Sequence, residues 1–482
     1  MSSTQERSSA DVRAGVGHPI IDADGHMVEL PPVLEEYVKQ LGGSDMAKRY
    51  AEAAPVKRFA RQQVASLSVE ERRDFWATLT TWWMWPTKNG VDRATAHFPR
   101  LMHERMDELG LDLSIIYPSE GLTIVVIPDE ELRRVSCRAL NTMMAEMFSS
   151  YSDRIVPAAM IPAHTPDQAI EDLNYAVNEL GFKVATFPGY IVRPVPRVAR
   201  DRPEMAGLAT RLDLLALDSD YDYDPLWTRC QELGIAPSFH CTSMGIGTHR
   251  SISNFVYNHV GGAAAGLDAI CKALVLGGVT RRFPDLNFSF LEGGVAWACA
   301  TYASLIGHWE KRNVEALQWI DPANLDAGLM DSLLEQYGEG GIARAADEVR
   351  GNFRMERPRP ADLDDFSLCE AKGAEEFADL FVRPFYFGCE ADDPLNVQAF
   401  DTRVNPFGAR LQAMLSSDIS HWDVPHMNKV VGEAYELVER GLMSDDDFAD
   451  FAFRNVVELY GQVNPSFFEG TVVEEAAAKA LA

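Results

Sequence analysis

Eight short apolar, β-rich runs recur along the chain, and each ends in polar or turn residues. The segments between them follow a helical pattern: residues 166–181, for example, place apolar side chains at helical spacing and end in glycine. Runs of this length and composition are typical of buried strands. The eight predicted strands span residues 19–26, 111–120, 154–164, 182–190, 236–243, 286–294, 383–390 and 412–421.

Strand–helix alternation repeated eight times predicts an α/β protein of the (β/α)8 TIM-barrel class. A doubly wound open sheet is the alternative, but no GxGxxG motif follows the first predicted strand. We predict one barrel over residues 19–465, a disordered tail at 1–18 and a C-terminal tail at 466–482. Three long intervals are predicted to be insertions that cap the barrel or make subunit contacts, at about residues 31–104, 191–222 and 311–380.

The composition excludes some classes of partner. The net charge is −28, from 72 acidic and 44 basic residues, which argues against nucleic acid and against an anionic membrane surface. The most apolar stretch, "AICKALVLGGV", is short and contains Lys272, so it does not predict a membrane span. Seven scattered cysteines without a CxxC motif are typical of reduced thiols. We expect a cytoplasmic homo-oligomer that acts on a small molecule.

Carboxylates and imidazoles occur where the predicted strands end. Asp24 and His26 lie two residues apart, so they share one face of the first strand. The carboxyl ends of barrel strands meet at one mouth, and these side chains are ligands for Zn, Mn or Fe. The set comprises Asp24 and His26 in the first strand, His240 in the fifth, Glu292 in the sixth, Asp418 in the eighth, and His421 three residues later. The sequence therefore predicts a metal site.

Several segments resemble the amidohydrolase-related branch of the amidohydrolase superfamily, in order and spacing, from about residue 19 to residue 461. They are "IIDADGHMVE" (20–29), "RMDELGLDLSIIYPS" (105–119), "DRIVPAAMIP" (153–162), "FPDLNFSFLEGGVAW" (283–297), "SSDISHWD" (416–423) and "FRNVVELYG" (453–461). The resemblance implies a metal-dependent barrel enzyme, but it does not identify a substrate.

The resemblance also implies roles for individual residues. Asp24, His26 and His240 would be metal ligands, and Asp418 would be a ligand that also handles a proton. Asp22, two residues before Asp24, is interpreted as a carboxylate that supports the ligands.

In several members of the family, the sixth strand offers a histidine where this chain has Glu292. Glu292 is therefore either a general acid/base or a further metal ligand. Asp418, Glu292 and His421 are the catalytic candidates.

Three further residues are candidates for substrate binding. Arg250 would pair with a substrate carboxylate through two hydrogen bonds, although a solvated loop charge is the alternative. His259 would face the site, with an ordinary helix-surface or core histidine as the alternative. Trp422 would form a wall of the pocket. The aromatic stretch at residues 80–86 would line an aromatic pocket, or else belong to the core or a subunit interface.

The expected chemistry follows from a metal that polarises substrate oxygens and lowers the pKa of water. Hydrolysis and decarboxylation of a small carboxylate or aromatic substrate both remain open. The candidate ligands outnumber the four that a tetrahedral zinc ion needs. The alternative is therefore a dinuclear Fe/Mn monooxygenase that activates oxygen on the same scaffold. The expected cofactor is a divalent metal (Zn, Mn or Fe), one or two ions per chain.

Overall fold

The structure is a computed structural model that describes residues 7–53, 67–79, 87–354 and 363–482. Eight parallel strands form one sheet, in which each strand pairs with the next of the eight along the chain. They span Ile21–Met27 (β1), Leu113–Pro118 (β2), Ile155–Met160 (β3), Val184–Phe187 (β4), Pro237–Phe239 (β7), Phe288–Phe290 (β8), Phe385–Cys389 (β9) and Gln412–Leu415 (β10). Each lies within or one residue beyond a predicted strand, and the (β/α)8 barrel is confirmed. The antiparallel pair Ile191–Pro194 (β5) and Thr210–Asp213 (β6) forms a separate hairpin.

The segment that follows β10 closes the barrel against β1. The backbone N–H of Asp418 donates to the carbonyl of Asp24 at 2.9 Å, and the N–H of His26 donates to the carbonyl of Ile419 at 3.0 Å. Residues from the two ends of the chain are therefore joined by main-chain hydrogen bonds at the carboxyl end of the barrel. This closure places the predicted ligands of the first and eighth barrel strands side by side.

Helices occupy the intervals between the barrel strands and pack on the outside of the sheet. Glu130–Phe148 is representative: the Asp129 side chain accepts a hydrogen bond from the Leu132 N–H, and Leu140, Met143 and Met144 are buried. The other helices of eight or more residues are Pro31–Glu52, Pro99–Leu109, Pro166–Asn174, Asp224–Leu233, Gly262–Leu276, Ala296–Arg312, Ala327–Tyr337, Val430–Glu439 and Glu474–Leu481. Shorter helices include Ser9–Gly15, Val69–Phe75, Gly90–Thr95, Gly121–Ile124, Pro196–Asp201, Phe255–His259, Val279–Arg282, Gly341–Arg344, Ala346–Asn352, Asp445–Ala449 and Asn455–Gly461.

The C-terminal region fills the amino end of the barrel. Val456, Tyr460 and Phe467 belong to the same buried cluster as the interior side chains Ile21 and Leu113. With that end filled, a substrate has to enter at the carboxyl ends of the strands, where the polar residues lie.

The segment predicted to be a disordered N-terminal tail contains a helix among its described residues. Ser9–Gly15 is a helix whose Val12 is buried, and its Arg13 forms an ion pair with Asp112. At the other end, Glu474–Leu481 is helical and buries Ala477. A seven-residue helix is unstable in isolation, so the contacts with the barrel, and not the local sequence, stabilise it.

All seven cysteines are free. Among the described residues, one segment, Phe255–Leu276, is long and apolar enough to be a candidate membrane span. This is weak evidence, because a core helix of a soluble protein passes the same test. Its structure is two consecutive helices, Phe255–His259 and Gly262–Leu276.

Candidate metal centre

A β-bulge in β1 orients the first two predicted ligands. Against β2, the register shifts between Asp22 and Gly25, which inserts one extra residue into β1. A Cβ atom at Gly25 would lie 2.7 Å from Asp22 Oδ2 and 2.9 Å from both Ile116 Cδ1 and Ser114 Oγ. Only glycine fits here without displacing its neighbours, so the glycine of "DADGH" allows the bulge between Asp22 and Gly25.

Asp22 supports the site and is not itself directed at a metal. Its carboxylate accepts hydrogen bonds from the Ser114 hydroxyl at 2.7 Å and from the Ser417 hydroxyl and backbone N–H at 2.7 and 2.8 Å. The Asp24 N–H donates to it at 3.2 Å. These contacts connect β1 to β2 and to the segment after β10, as expected of a supporting carboxylate.

The predicted ligands Asp24, His26 and His240 form one buried group with ligand spacing, and Asp418 adjoins this group through His26. The Nε2 atom of His26 lies 3.4 Å from Asp24 Oδ1, 3.2 Å from Asp418 Oδ1 and 3.2 Å from His240 Nε2. The distance from His240 Nε2 to Asp24 Oδ2 is 3.8 Å. Ligand atoms that share one ion at about 2.0–2.2 Å lie roughly 3–3.5 Å apart, so most of these separations match a common metal position.

The surroundings of these side chains fit a cation. All four side chains are buried, yet within the described part of the chain neither oxygen of Asp24 or of Asp418 accepts a hydrogen bond. An ionised carboxylate that is buried without hydrogen-bond donors carries a large desolvation cost unless a nearby cation compensates for it. Accordingly, burial raises the pKa of both carboxyls well above the usual range, and it lowers the pKa of His240 to about 3. A divalent ion would stabilise the ionised carboxylates and the neutral imidazoles together.

His421 adjoins this cluster. Its ring stacks on that of His26 at 3.8 Å between centroids, and its Nδ1 lies 2.8 Å from Asp418 Oδ1. On the other side of the ring, Nε2 is 2.8 Å from the hydroxyl of Ser119, which follows β2. Burial lowers the pKa of His421 to about 4. His26, Asp418 and His421 form a second group with ligand spacing, which shares His26 with the first group.

The backbone is strained at two of the functional candidates. Glu292 has φ of +64° and Asp418 has φ of +49°, in the left-handed region that non-glycine residues rarely adopt. Such conformations persist only where surrounding contacts maintain them, and they concentrate at functional sites.

Glu292 lies behind His240 and outside both ligand groups. Its Oε2 is 3.5 Å from His240 Nδ1, whereas the other ring nitrogen, Nε2, faces His26. Burial and the nearby carboxylates of Asp423 and Glu390 raise the pKa of Glu292 to about 8. This position suits a proton carrier, or a carboxylate that orients His240, better than it suits a metal ligand.

A cavity of about 670 Å³ opens beside the cluster and includes His240, His421 and Glu292 in its lining. His259 and Trp422 also line it, with their rings 5.6 Å apart. The candidate Arg250, in contrast, is exposed and lies outside the lining residues. The predicted aromatic stretch at residues 80–86 falls outside the described residues.

Sequence reasoning missed several acidic residues of the cavity: Glu390, Asp393 and Asp423 all line it. Burial and the neighbouring acids Asp423, Asp392 and Asp393 raise the pKa of Glu390 to about 7. A signal was available for Glu390, because it directly follows β9 in "FGCE", the position at which the other barrel strands supply their polar residues.

The sequence profile of the amidohydrolase family matches residues 118–342. This match includes His240 and Glu292. It confirms the family resemblance inferred from the sequence motifs.

Several solved structures are similar to this chain. An amidohydrolase from Mycobacterium avium subsp. paratuberculosis K-10 is similar at a TM-score of 0.50 and 16% identity, over 92% of this chain and 100% of that one. A 2,6-dihydroxybenzoate decarboxylase from Rhizobium matches at a TM-score of 0.48 and 15% identity, over 92% of this chain and 98% of that one. A 5-carboxyvanillate decarboxylase from Sphingomonas paucimobilis matches at a TM-score of 0.48 and 12% identity, over 92% of this chain and 98% of that one. At these identities, the first match supports the fold alone.

Proposed function

We propose that the protein is a metal-dependent hydrolase of the amidohydrolase family that acts on a small organic molecule. The observation that carries the proposal is the set of buried carboxylate oxygens of Asp24 and Asp418, which accept no hydrogen bond within the described chain and face His26 and His240. Asp24, His26 and His240 would hold one divalent ion, with Asp418 beside them. When bound, such an ion polarises a substrate carbonyl and lowers the pKa of water.

Asp418 is the candidate general base. Its Oδ1 atom faces His26 and His421, which leaves Oδ2 to take the proton of the attacking water. His421 lies beside the Asp418 carboxylate, with Nδ1 2.8 Å from Oδ1, and the Ser119 hydroxyl contacts the opposite ring nitrogen at 2.8 Å. The strained backbone at Asp418 aims its carboxylate into this arrangement.

Glu292 is the candidate acid that protonates the leaving group. It lines the cavity beside the ligand cluster, with Oε2 3.5 Å from His240 Nδ1. A carboxyl group there can reach a substrate held against the cluster and deliver its proton as a C–N or C–O bond breaks.

Hydrolysis is favoured over decarboxylation by the lining of the cavity. Decarboxylation requires that a substrate carboxylate be held in place, and Lys or Arg usually supplies that contact. Among the lining residues that the structure describes there is no Lys or Arg.

Metal analysis of the purified protein tests this proposal. We expect one Zn, Mn or Fe per chain, lost on treatment with EDTA together with hydrolysis of a panel of esters and amides, and both restored by the metal. His26→Ala and His240→Ala should abolish metal binding, whereas His308→Ala, at an exposed position, should not. Wild-type metal content in His26→Ala would contradict the proposed site. Two Fe or Mn ions per chain would favour the oxygenase instead.

A further inference from the structure

The cavity beside the ligand cluster has two chemically different walls. One wall is acidic and consists of Glu292, Glu390, Asp393 and Asp423. The other is apolar and includes Leu122, Val125, Val126, Phe255, Val260 and Trp422. A ligand that complements both walls needs an apolar body and a group that is attracted to carboxylates.

The acidic wall has no compensating charge among the described lining residues. A divalent ion would offset the two charges of Asp24 and Asp418, but it would leave the other acids of the wall, Glu390, Asp393 and Asp423, without a compensating cation. A carboxylate ligand placed among them would be repelled, whereas an ammonium group would be attracted, and the low polarity of a partly enclosed cavity strengthens both effects.

Asp423 gives independent evidence of a missing donor. The Asp423 carboxyl group contacts that of Asp418, but within the described residues no N–H or hydroxyl group donates a hydrogen bond to its solvent-shielded Oδ1 atom. Buried carboxylate oxygens normally have such a partner. An ammonium group has three N–H donors and no acceptor. It can therefore donate hydrogen bonds to such carboxylate oxygens without adding another acceptor to the acidic wall.

The apolar wall continues to the rim of the cavity. Val126 and Val260 line the cavity and are 41% and 68% exposed, and the neighbouring Val256 and Tyr257 are also exposed. Apolar side chains grouped around the mouth of a pocket favour contact with an apolar ligand.

We propose that the substrate is an organic amine, with its apolar body against the Phe255 and Val260 side of the cavity and its ammonium group against Glu390 and Asp423. This inference rests on the proposed hydrolase function and replaces the carboxylate substrate expected from the sequence. Arg250, the residue on which that expectation depended, is exposed and lies outside the cavity lining.

Three probes with the same phenylpropyl body test the proposal: phenylpropylamine, phenylpropionate and phenylpropanol. Their affinities for the manganese-loaded protein would be measured by calorimetry. We expect the amine to bind at least about 10-fold more tightly than the carboxylate, because charge-assisted contacts replace repulsion. Equal or tighter binding of phenylpropionate would overturn the proposal.

Variants of the acidic wall test whether its carboxylates cause the preference for the amine. Glu390→Gln and Asp423→Asn should each weaken amine binding about 3- to 10-fold and should not weaken phenylpropionate binding. Asp392→Asn is the matched control, since it removes the same charge from the residue next to Asp393 but outside the cavity lining. Unchanged amine affinity in both wall variants would also overturn the proposal.

Metal content measured in the same preparations separates the two proposals. A protein that binds no metal contradicts the proposed hydrolase. A protein that binds one ion per chain but prefers phenylpropionate contradicts the amine proposal alone. Because the acidic wall lies outside the ligand groups, the preference for the amine should persist after treatment with EDTA.

Discussion

Replacing Gly25 with alanine tests how tightly the β1 bulge is built into the site. The added Cβ would lie 2.7 Å from Asp22 Oδ2, the oxygen that accepts hydrogen bonds from the hydroxyls of Ser114 and Ser417. It would also lie 2.9 Å from Ile116 Cδ1. All these groups are buried, so none can move into solvent to make room.

The cost of Gly25→Ala has two parts. Overpacking of a buried site costs about 1–3 kcal/mol, and a displaced Asp22 carboxylate loses buried hydrogen bonds worth about 1–3 kcal/mol. We expect the free energy of unfolding to fall by about 2–6 kcal/mol. Metal content should fall as well, because Gly25 lies between the proposed ligands Asp24 and His26.

Urea unfolding and metal analysis of the same preparation measure both effects. Gly307→Ala is the control: Gly307 lies within the helix Ala296–Arg312, and a Cβ there would meet nothing within 4 Å. Alanine at that position should stabilise the protein by up to about 1 kcal/mol. If Gly25→Ala kept wild-type stability and a full complement of metal, the bulge would tolerate a side chain and the reasoning would be refuted.

Four other changes test individual roles. Asp418→Asn should remove turnover but retain part of the metal, because the amide offers an oxygen but cannot accept a proton; full activity with metal bound would leave Asp418 only a ligand. Glu292→Gln should keep the metal and slow turnover by about 10²–10⁴-fold; loss of metal would make Glu292 a ligand after all. Ser119→Ala should lower kcat by about 10-fold with little change in KM or metal content, since it frees the His421 ring; an unchanged kcat would argue against that role. Asp22→Asn should lower the free energy of unfolding by about 1–3 kcal/mol, since the NH₂ group of the asparagine would face hydrogen-bond donors. Unfolding at the wild-type urea concentration would argue against a stabilising role for the hydrogen bonds around Asp22.

The strands were predictable because each is a short apolar run bounded by turn residues, and burial on both sides of a barrel strand enforces that pattern. The spacing of Asp24 and His26 was informative for the same reason, since residues two apart in a strand share a face. His240 and Asp418 were identified by their position at strand ends alone. These features are local, so the sequence displays them directly.

Features that depend on how loops fold over the barrel were not predictable. Arg250 and Asp423 both lie in loops after barrel strands, yet Asp423 lines the cavity and Arg250 is exposed. Nothing in the residues adjacent to either position indicates that difference. The helix Ser9–Gly15 was missed because contacts with distant residues, such as that between Ser9 and Val431, stabilise it.

The ligand cluster itself is assembled from distant parts of the chain, and this has a consequence for folding. Asp24 and Asp418 are joined by a main-chain hydrogen bond that exists only once the barrel has closed. The unfolded chain therefore offers the proposed ligands separately, and an ion that needs several of them would bind the folded barrel almost exclusively. Binding of that kind stabilises the folded state, by about 2.7 kcal/mol at a metal concentration 100 times Kd. The burial of two carboxylates that accept no hydrogen bonds weakens the metal-free fold, and the same burial makes the fold selective for a cation.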